Sequence, residues 1–227
     1  MADRWATFDC YGTLIDWEAG MRAAFTRIWP DAEADRLVAI HHTVEPLAQE
    51  VRVGGQPLTY REVLRRCLVA IAAVEGRDLP FGLDSSLADS LPQWPPFPEV
   101  TDSLAQLRTR GWRLAILSNI DPDLLPLSLE QIGVRVDLTI TAADAGSYKP
   151  RPGHWERFFE RSKAEKEHHV HVGASPFHDL RPAAKLGMKA VWINRTGQKS
   201  RTPRDAELPD LSDLPDELDK LVPAPEE

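Results

Sequence analysis

Asp9-Cys-Tyr-Gly-Thr-Leu-Ile-Asp16, entered from the apolar run Trp5-Ala-Thr-Phe8, puts a carboxylate at the end of a segment that reads as a buried strand. An isolated Asp in apolar surroundings is costly to ionise, so an Asp there, followed by a Gly-Thr turn, points to a site that holds donors for it. A strand closing in an Asx-type turn uses the same residues, and on the octapeptide alone both readings stay open.

Features downstream share this form. Leu114-Ala-Ile-Leu-Ser118-Asn119 is an apolar strand ending in small polar residues, and Ser147-Tyr-Lys149-Pro150 sets a Lys before a helix-starting Pro. His171-Val-Gly-Ala-Ser175-Pro-Phe-His-Asp179 is a further strand running into an acidic loop. In an open parallel sheet the loops after the carboxyl ends of the strands converge on one crevice, so such residues can meet. In this order the chain resembles the haloacid dehalogenase superfamily, whose motifs are an Asp nucleophile, a Ser/Thr, a Lys and an acidic loop. The resemblance covers nearly the whole chain.

Within that superfamily the chain is more similar to the 2-haloacid dehalogenases than to the phosphatases. The phosphatases generally carry a second Asp two residues after the nucleophile, where this chain has Tyr11, and a phenol with a pKa of about 10 is a poor acid at neutral pH. Their acidic loop usually reads Gly-Asp and supplies a carboxylate to Mg²⁺; the equivalent position here is Ala174. Halide displacement from an sp³ carbon needs no metal, and the expectation is a metal-independent hydrolase without a cofactor.

The resemblance implies a covalent displacement in which Asp9 attacks the α-carbon of a small 2-substituted carboxylic acid and water cleaves the resulting ester. It further implies that Lys149 pairs with Asp9, that Asp179 orients the hydrolytic water, and that Thr13 bonds the nucleophile. Ser118, Asn119 and the backbone amides from Tyr11 to Leu14 are the expected cradle for the substrate carboxylate, with Ser175 in the acidic loop beside them. Trp155 falls where the family commonly has a Tyr and is expected to line the substrate. Two departures stand out. No Arg occupies Ala39 to His42, where the dehalogenases place a halide-receiving Arg, so His41 or His42, if protonated, is the expected replacement, with Arg36 and Arg22 as substitutes. Pro176 stands where an Asn is common. Chloride, fluoride and a strained ring nitrogen all remain open as leaving groups. A Mg²⁺-dependent phosphatase is the alternative, and a silent binding protein on the same scaffold is the third reading.

At 227 residues the chain has room for one α/β domain with an insertion. A net charge of −8 with scattered Lys and Arg argues against nucleic acid as a partner. Cys10 and Cys67 lack metal or disulfide spacing, and no run is long and apolar enough for a signal core or a membrane span; a cytoplasmic enzyme is expected, for which a homodimer would be ordinary. The pattern predicts an α/β, Rossmann-like doubly wound parallel core over residues 1–16 and 98–227. Residues 17–97 read as an almost wholly helical cap, with helices at Met21 to Ile28, Ala34 to Val51, Tyr60 to Val74 and Leu83 to Leu91. The tail from Lys199 is rich in Pro, Asp and Glu, and its end, Pro223 to Glu227, is expected to fray.

Overall fold

The computed structural model of the protein describes residues 3–224. The elements run β1 (Arg4–Phe8), α1 (Trp17–Ile28), α2 (Ala34–Glu50), β2 (Arg52–Val53), β3 (Gln56–Pro57), α3 (Tyr60–Glu75) and α4 (Ser86–Ser90). They continue with α5 (Val100–Thr109), β4 (Trp112–Ser118), α6 (Leu125–Ile132), β5 (Leu138–Thr141), α7 (Ala142–Ala145) and α8 (Gly153–Ser162). Last come β6 (His169–Gly173), α9 (Arg181–Lys185), β7 (Lys189–Ile193), β8 (Ala206–Leu208) and α10 (Leu214–Leu221).

Six strands form one parallel sheet in the order β5-β4-β1-β6-β7-β8. Every residue of β1 and β6 is buried, which a parallel sheet covered on both faces demands of its central strands. The chain leaves β1 toward β4 on one side and later returns to β6 on the other. The carboxyl end of β1 therefore sits where the strand order reverses, the place at which open α/β sheets bind ligands. Trp5, Trp155, Phe158, Leu180 and Trp192 fill one shared cluster of the core, with Trp5 and Phe158 edge to face at 5.4 Å.

The chain divides into two compact units, one of residues 1–15, 96–119 and 132–227, the other of residues 16–95 and 120–131. The first holds the sheet. The second is mainly helical, but a small hairpin, β2 with β3, interrupts the helical run expected there. Gly54 and Gly55 supply its turn, each with positive φ. Residues 120–131 join the helical unit although the sequence pattern assigns them to the core. Asp121 explains the grouping: its carboxylate accepts from the amides of Tyr60 and Arg61 at 2.8 and 2.9 Å and caps the amino end of α3.

The four helices expected over residues 17–97 are present with small shifts at their ends, whereas α6, α7, β8 and α10 were not anticipated. Part of the tail expected to fray, residues 225–227, lies outside the described residues.

Candidate active site

Asp9 leaves β1 with its amide bonded to the Val172 carbonyl of β6 at 2.9 Å. The chain then reverses through Gly12, whose φ of 90° is open to glycine at no steric cost. The Leu14 and Ile15 amides both donate to the Cys10 carbonyl, at 2.7 and 2.9 Å, and the Gly12 amide donates to Ile15 at 2.8 Å. Two amides of the expected carboxylate cradle, those of Gly12 and Leu14, are thus spent on closing the turn. Thr13 ties the turn to the site: its hydroxyl donates to Asp9 Oδ2 at 3.0 Å and accepts from the Ala174 amide at 3.0 Å. From behind, Arg195 donates to the Thr13 carbonyl at 2.8 Å and to Glu99 at 2.6 Å, with its guanidinium 3.5 Å from the centre of the Phe97 ring.

Lys149 joins the two carboxylates. Its ammonium donates to Asp9 Oδ1 and to Asp179 Oδ1, each at 2.7 Å. Exposure falls steeply along this line: the Asp9 side chain is 13% exposed, Lys149 1% and Asp179 not at all. Burial, with the negative Asp179 nearby, raises the Asp9 pKa above the ordinary carboxylate value while Lys149 opposes the rise. For Asp179, burial is outweighed by Lys149 and by contact with His171, and its pKa is lowered. Burial alone would depress Lys149, but the two carboxylates raise it, so the ammonium is retained. Cys10 is buried beside Asp9, and its thiol is pushed well above the ordinary value by burial and that charge, which leaves it unreactive.

The positions of the remaining expected residues differ from the sequence reading in several ways. Asn119 does not present its carboxamide to the site: Oδ1 accepts from the Lys149 amide at 2.6 Å and Nδ2 donates to the Lys149 carbonyl at 3.2 Å. It anchors the Lys149 backbone next to a cis Lys149–Pro150 peptide. Trp155 is fully buried in the core with its ring centre 6.0 Å from the Lys149 ammonium, so it is packing beneath the site and not an exposed substrate wall. Ser175 caps the turn that carries Asp179, its hydroxyl accepting from the His178 amide at 3.1 Å while its own amide donates to Asp179 Oδ2 at 3.1 Å. His41 is enclosed in the helical unit, 1% exposed, against Trp17 at 5.4 Å, and burial lowers its pKa. A neutral imidazole is a poor receiver for an anion, which removes the basis for His41 as the substitute for the missing Arg. His42 is half exposed and bonded to Glu18 at 3.1 Å. The Ser118 hydroxyl is buried at the end of β4 and has no hydrogen-bond partner among the described residues. Tyr11 is half-buried and pairs with Ile15 across the turn.

Sequence reasoning missed four residues that hold this arrangement. Arg195 clamps the nucleophile turn, and Trp192 donates its indole N–H to the Ala174 carbonyl at 2.9 Å, yet a Trp-Ile-Asn-Arg stretch at the end of a strand reads as packing. Thr7 and His171 are the others. The alternation His169-Val-His171 in an otherwise apolar strand was the signal available for them.

A sequence model of the haloacid dehalogenase-like hydrolases matches residues 4–187. Over 192 residues the chain is 30% identical to the haloacetate dehalogenase H-2 of Moraxella sp., covering 84% of this chain and 85% of that protein. It is also 33% identical to the phosphoserine phosphatase of Thermus thermophilus, over 122 residues that span 52% of this chain and 47% of the other. Among solved structures, an L-2-haloacid dehalogenase from Xanthobacter autotrophicus with chloropropionic acid covalently bound shares the fold. The TM-score is 0.83 at 20% identity, over 94% of this chain and 97% of that one.

Proposed function

The chain belongs to the haloacid dehalogenase-like hydrolase family, and from that membership we propose that it displaces a leaving group from the α-carbon of a small 2-substituted carboxylate through an ester on Asp9. The observation that carries this reading is the gradient of burial along Asp9, Lys149 and Asp179, in which the most accessible carboxylate is also the one whose pKa stands above the ordinary value, while that of Asp179 is lowered by Lys149 and His171. A more basic carboxylate is the better nucleophile, and Lys149 holds it ionised and aimed. One Asp9 oxygen bonds the α-carbon as the leaving group departs with the bonding electron pair. Water then adds to the Asp9 carbonyl carbon, the ester bond breaks, and the released alkoxide takes a proton to become a 2-hydroxy acid. The oxygen it carries comes from Asp9. Likeness to a haloacetate dehalogenase along most of both chains supports the substrate class. The Ser118 hydroxyl, without a partner among the described residues, is the group we assign to the substrate carboxylate.

The phosphatase reading draws on the phosphoserine phosphatase likeness. The donor set does not fit the metal it would need. Asp179 Oδ1 accepts from Lys149 and Oδ2 from Ser175, and Ala174 has no side-chain oxygen. Among the described residues no three or more His, Cys, Asp or Glu side chains gather as a ligand group. No described helix is long and apolar enough to cross a membrane; we place the enzyme in the cytoplasm, acting on a small molecule and not on nucleic acid.

Turnover of 2-chloropropionate beside p-nitrophenyl phosphate, with and without exhaustive chelation, separates the two readings. We expect chelation-resistant release of halide by the wild type and none by Asp9→Asn, and in ¹⁸O water a single turnover that labels the protein before the product. Phosphate release that stops on chelation and returns with Mg²⁺ would establish the phosphatase instead.

A further inference from the structure

A chain of buried polar side chains runs away from the site through the middle of the sheet. Thr7 of β1 lies directly opposite His171 of β6, and His169, two residues earlier, faces the same side of the sheet. The Thr7 hydroxyl is 2.8 Å from His171 Nδ1 and 2.8 Å from His169 Nε2. His171 Nε2 in turn lies 3.4 Å from Asp179 Oδ1, the oxygen that also receives Lys149. Thr7, His169, His171 and Asp179 have no exposed surface, and the rings pack against Trp155, Phe158 and Phe159.

The sheet has no structural need of such residues. The adjoining positions Phe8, Val170 and Val172 are apolar and fully buried, and burying a hydroxyl and two imidazoles among aromatic rings costs free energy even when they are bonded. The far end shows that cost, since His169 Nδ1 is buried with no partner among the described residues. The near end shows the gain, because the chain terminates on the carboxylate that anchors Lys149.

The directions of the bonds follow from the groups. An ionised carboxylate only accepts, so His171 Nε2 must carry a proton to bond Asp179. Thr7 has a single hydroxyl proton to place between two ring nitrogens. If it donates to His171 Nδ1, then His169 donates to Thr7 from Nε2 and all bonds point toward Asp179. The other order puts a second proton on His171.

We propose that Thr7 and His171 are positioning residues for this site: the Thr7 hydroxyl holds the His171 ring as the Nε2–H tautomer, and that N–H fixes the Asp179 carboxylate against Lys149. The proposal rests on the dehalogenase reading for what the fixed carboxylate serves, but the bond order itself does not depend on it. The charged and titratable groups that act on Asp179 are Lys149 from the loop before α8, His154 of α8, Asp9 after β1 and His171 of β6. Among these His171 is the donor whose orientation Thr7 controls.

Thr7→Val keeps the shape and removes the hydroxyl, whereas Thr7→Ser keeps the hydroxyl. With 2-chloropropionate, Thr7→Val should lower kcat about tenfold, as expected for a weakened bond to a charged group, with KM little changed. It should also move the acid limb of kcat to higher pH, because an Asp179 that loses a donor holds its proton more readily. Thr7→Ser should restore both. In the ¹⁵N spectrum of the histidine-labelled wild type, His171 should be protonated at Nε2 and bare at Nδ1. A wild-type kcat and pH profile in Thr7→Val, or a His171 protonated at Nδ1, would overturn the proposal. Should Thr7→Val not fold, the wild-type spectrum decides alone. Absence of turnover by the wild type would sink the dehalogenase reading and leave the spectrum to judge the chain.

Discussion

Gly173 closes β6 two residues after His171, and its missing side chain is a condition of the site. A Cβ there would stand 2.5 Å from Asp179 Cγ and 2.6 Å from Asp179 Oδ2, far inside contact distance. Gly173→Ala should therefore push the carboxylate off Lys149 while the strand survives. We expect roughly a hundredfold loss of kcat, the scale set by misplacing a catalytic group by about 1 Å, with the circular dichroism spectrum unchanged. Wild-type kcat in a folded Gly173→Ala protein would show that Asp179 does not need its present position. Asp9 was legible because a charged side chain stands out at the end of an apolar run, and Lys149 and Asp179 because the Lys-Pro step and the acidic loop after a strand follow it in the order of the family's motifs. Asn119, Leu14, Trp155 and His41 were not, since residue type does not reveal which atoms the backbone has already claimed. Asn119 is polar and adjacent to the site, yet both ends of its carboxamide serve Lys149.

The elements follow the same division. The strands of the core other than β8 were readable from their apolar runs, and Leu138–Thr141 matches the sequence reading residue for residue. The carboxyl-terminal helix α10 was hidden by acidic composition, although Leu211, Leu214 and Leu218 form an apolar stripe that is fully buried. An ion pair and hydrogen bonds hold it as well. Arg4, 5% exposed at the start of β1, donates to Asp219 at 2.7 Å, to the Val222 carbonyl at 3.1 Å and to the Arg110 carbonyl, and lies 4.7 Å from the centre of the Trp112 ring. Asp219 also accepts from Trp112 Nε1 at 2.9 Å and from Arg110 at 3.0 Å. Asp219→Ala strands a buried guanidinium and should cost about 2 kcal/mol, or roughly 4–8 °C in Tm for a chain of this size. An unchanged Tm by calorimetry would mean that α10 is held by its leucines alone.

Across the whole molecule, protonation of buried imidazoles sets the response to acid. Burial pulls His154 down to about 3, and it lowers His41 and, further, His169. In the unfolded chain all three titrate near the usual value of about 6.5. Between those limits the unfolded state binds more protons, so stability rises with pH and is lost as pH falls from about 6.5, by up to about 1.4 kcal/mol per pH unit for each group. The lowered Asp179 acts in the same direction but only below the unfolded carboxylate value of about 3.9. The urea midpoint should therefore begin to fall near pH 6, well above the carboxylate range; a midpoint flat from pH 6.5 to 4.5 would contradict the burial of these rings as neutral species. The division into units was only partly legible, because residues 120–131 follow a core strand and carry no pattern of their own to mark where they belong. That placement bears on how such a protein can be remodelled. The helical unit is assembled from two separate stretches of chain, and the carboxylate of Asp121 from the second caps a helix of the first. A graft that exchanges residues 16–95 alone would carry away α3 and leave its cap behind, so this unit is inherited, or transplanted, as two pieces that must travel together.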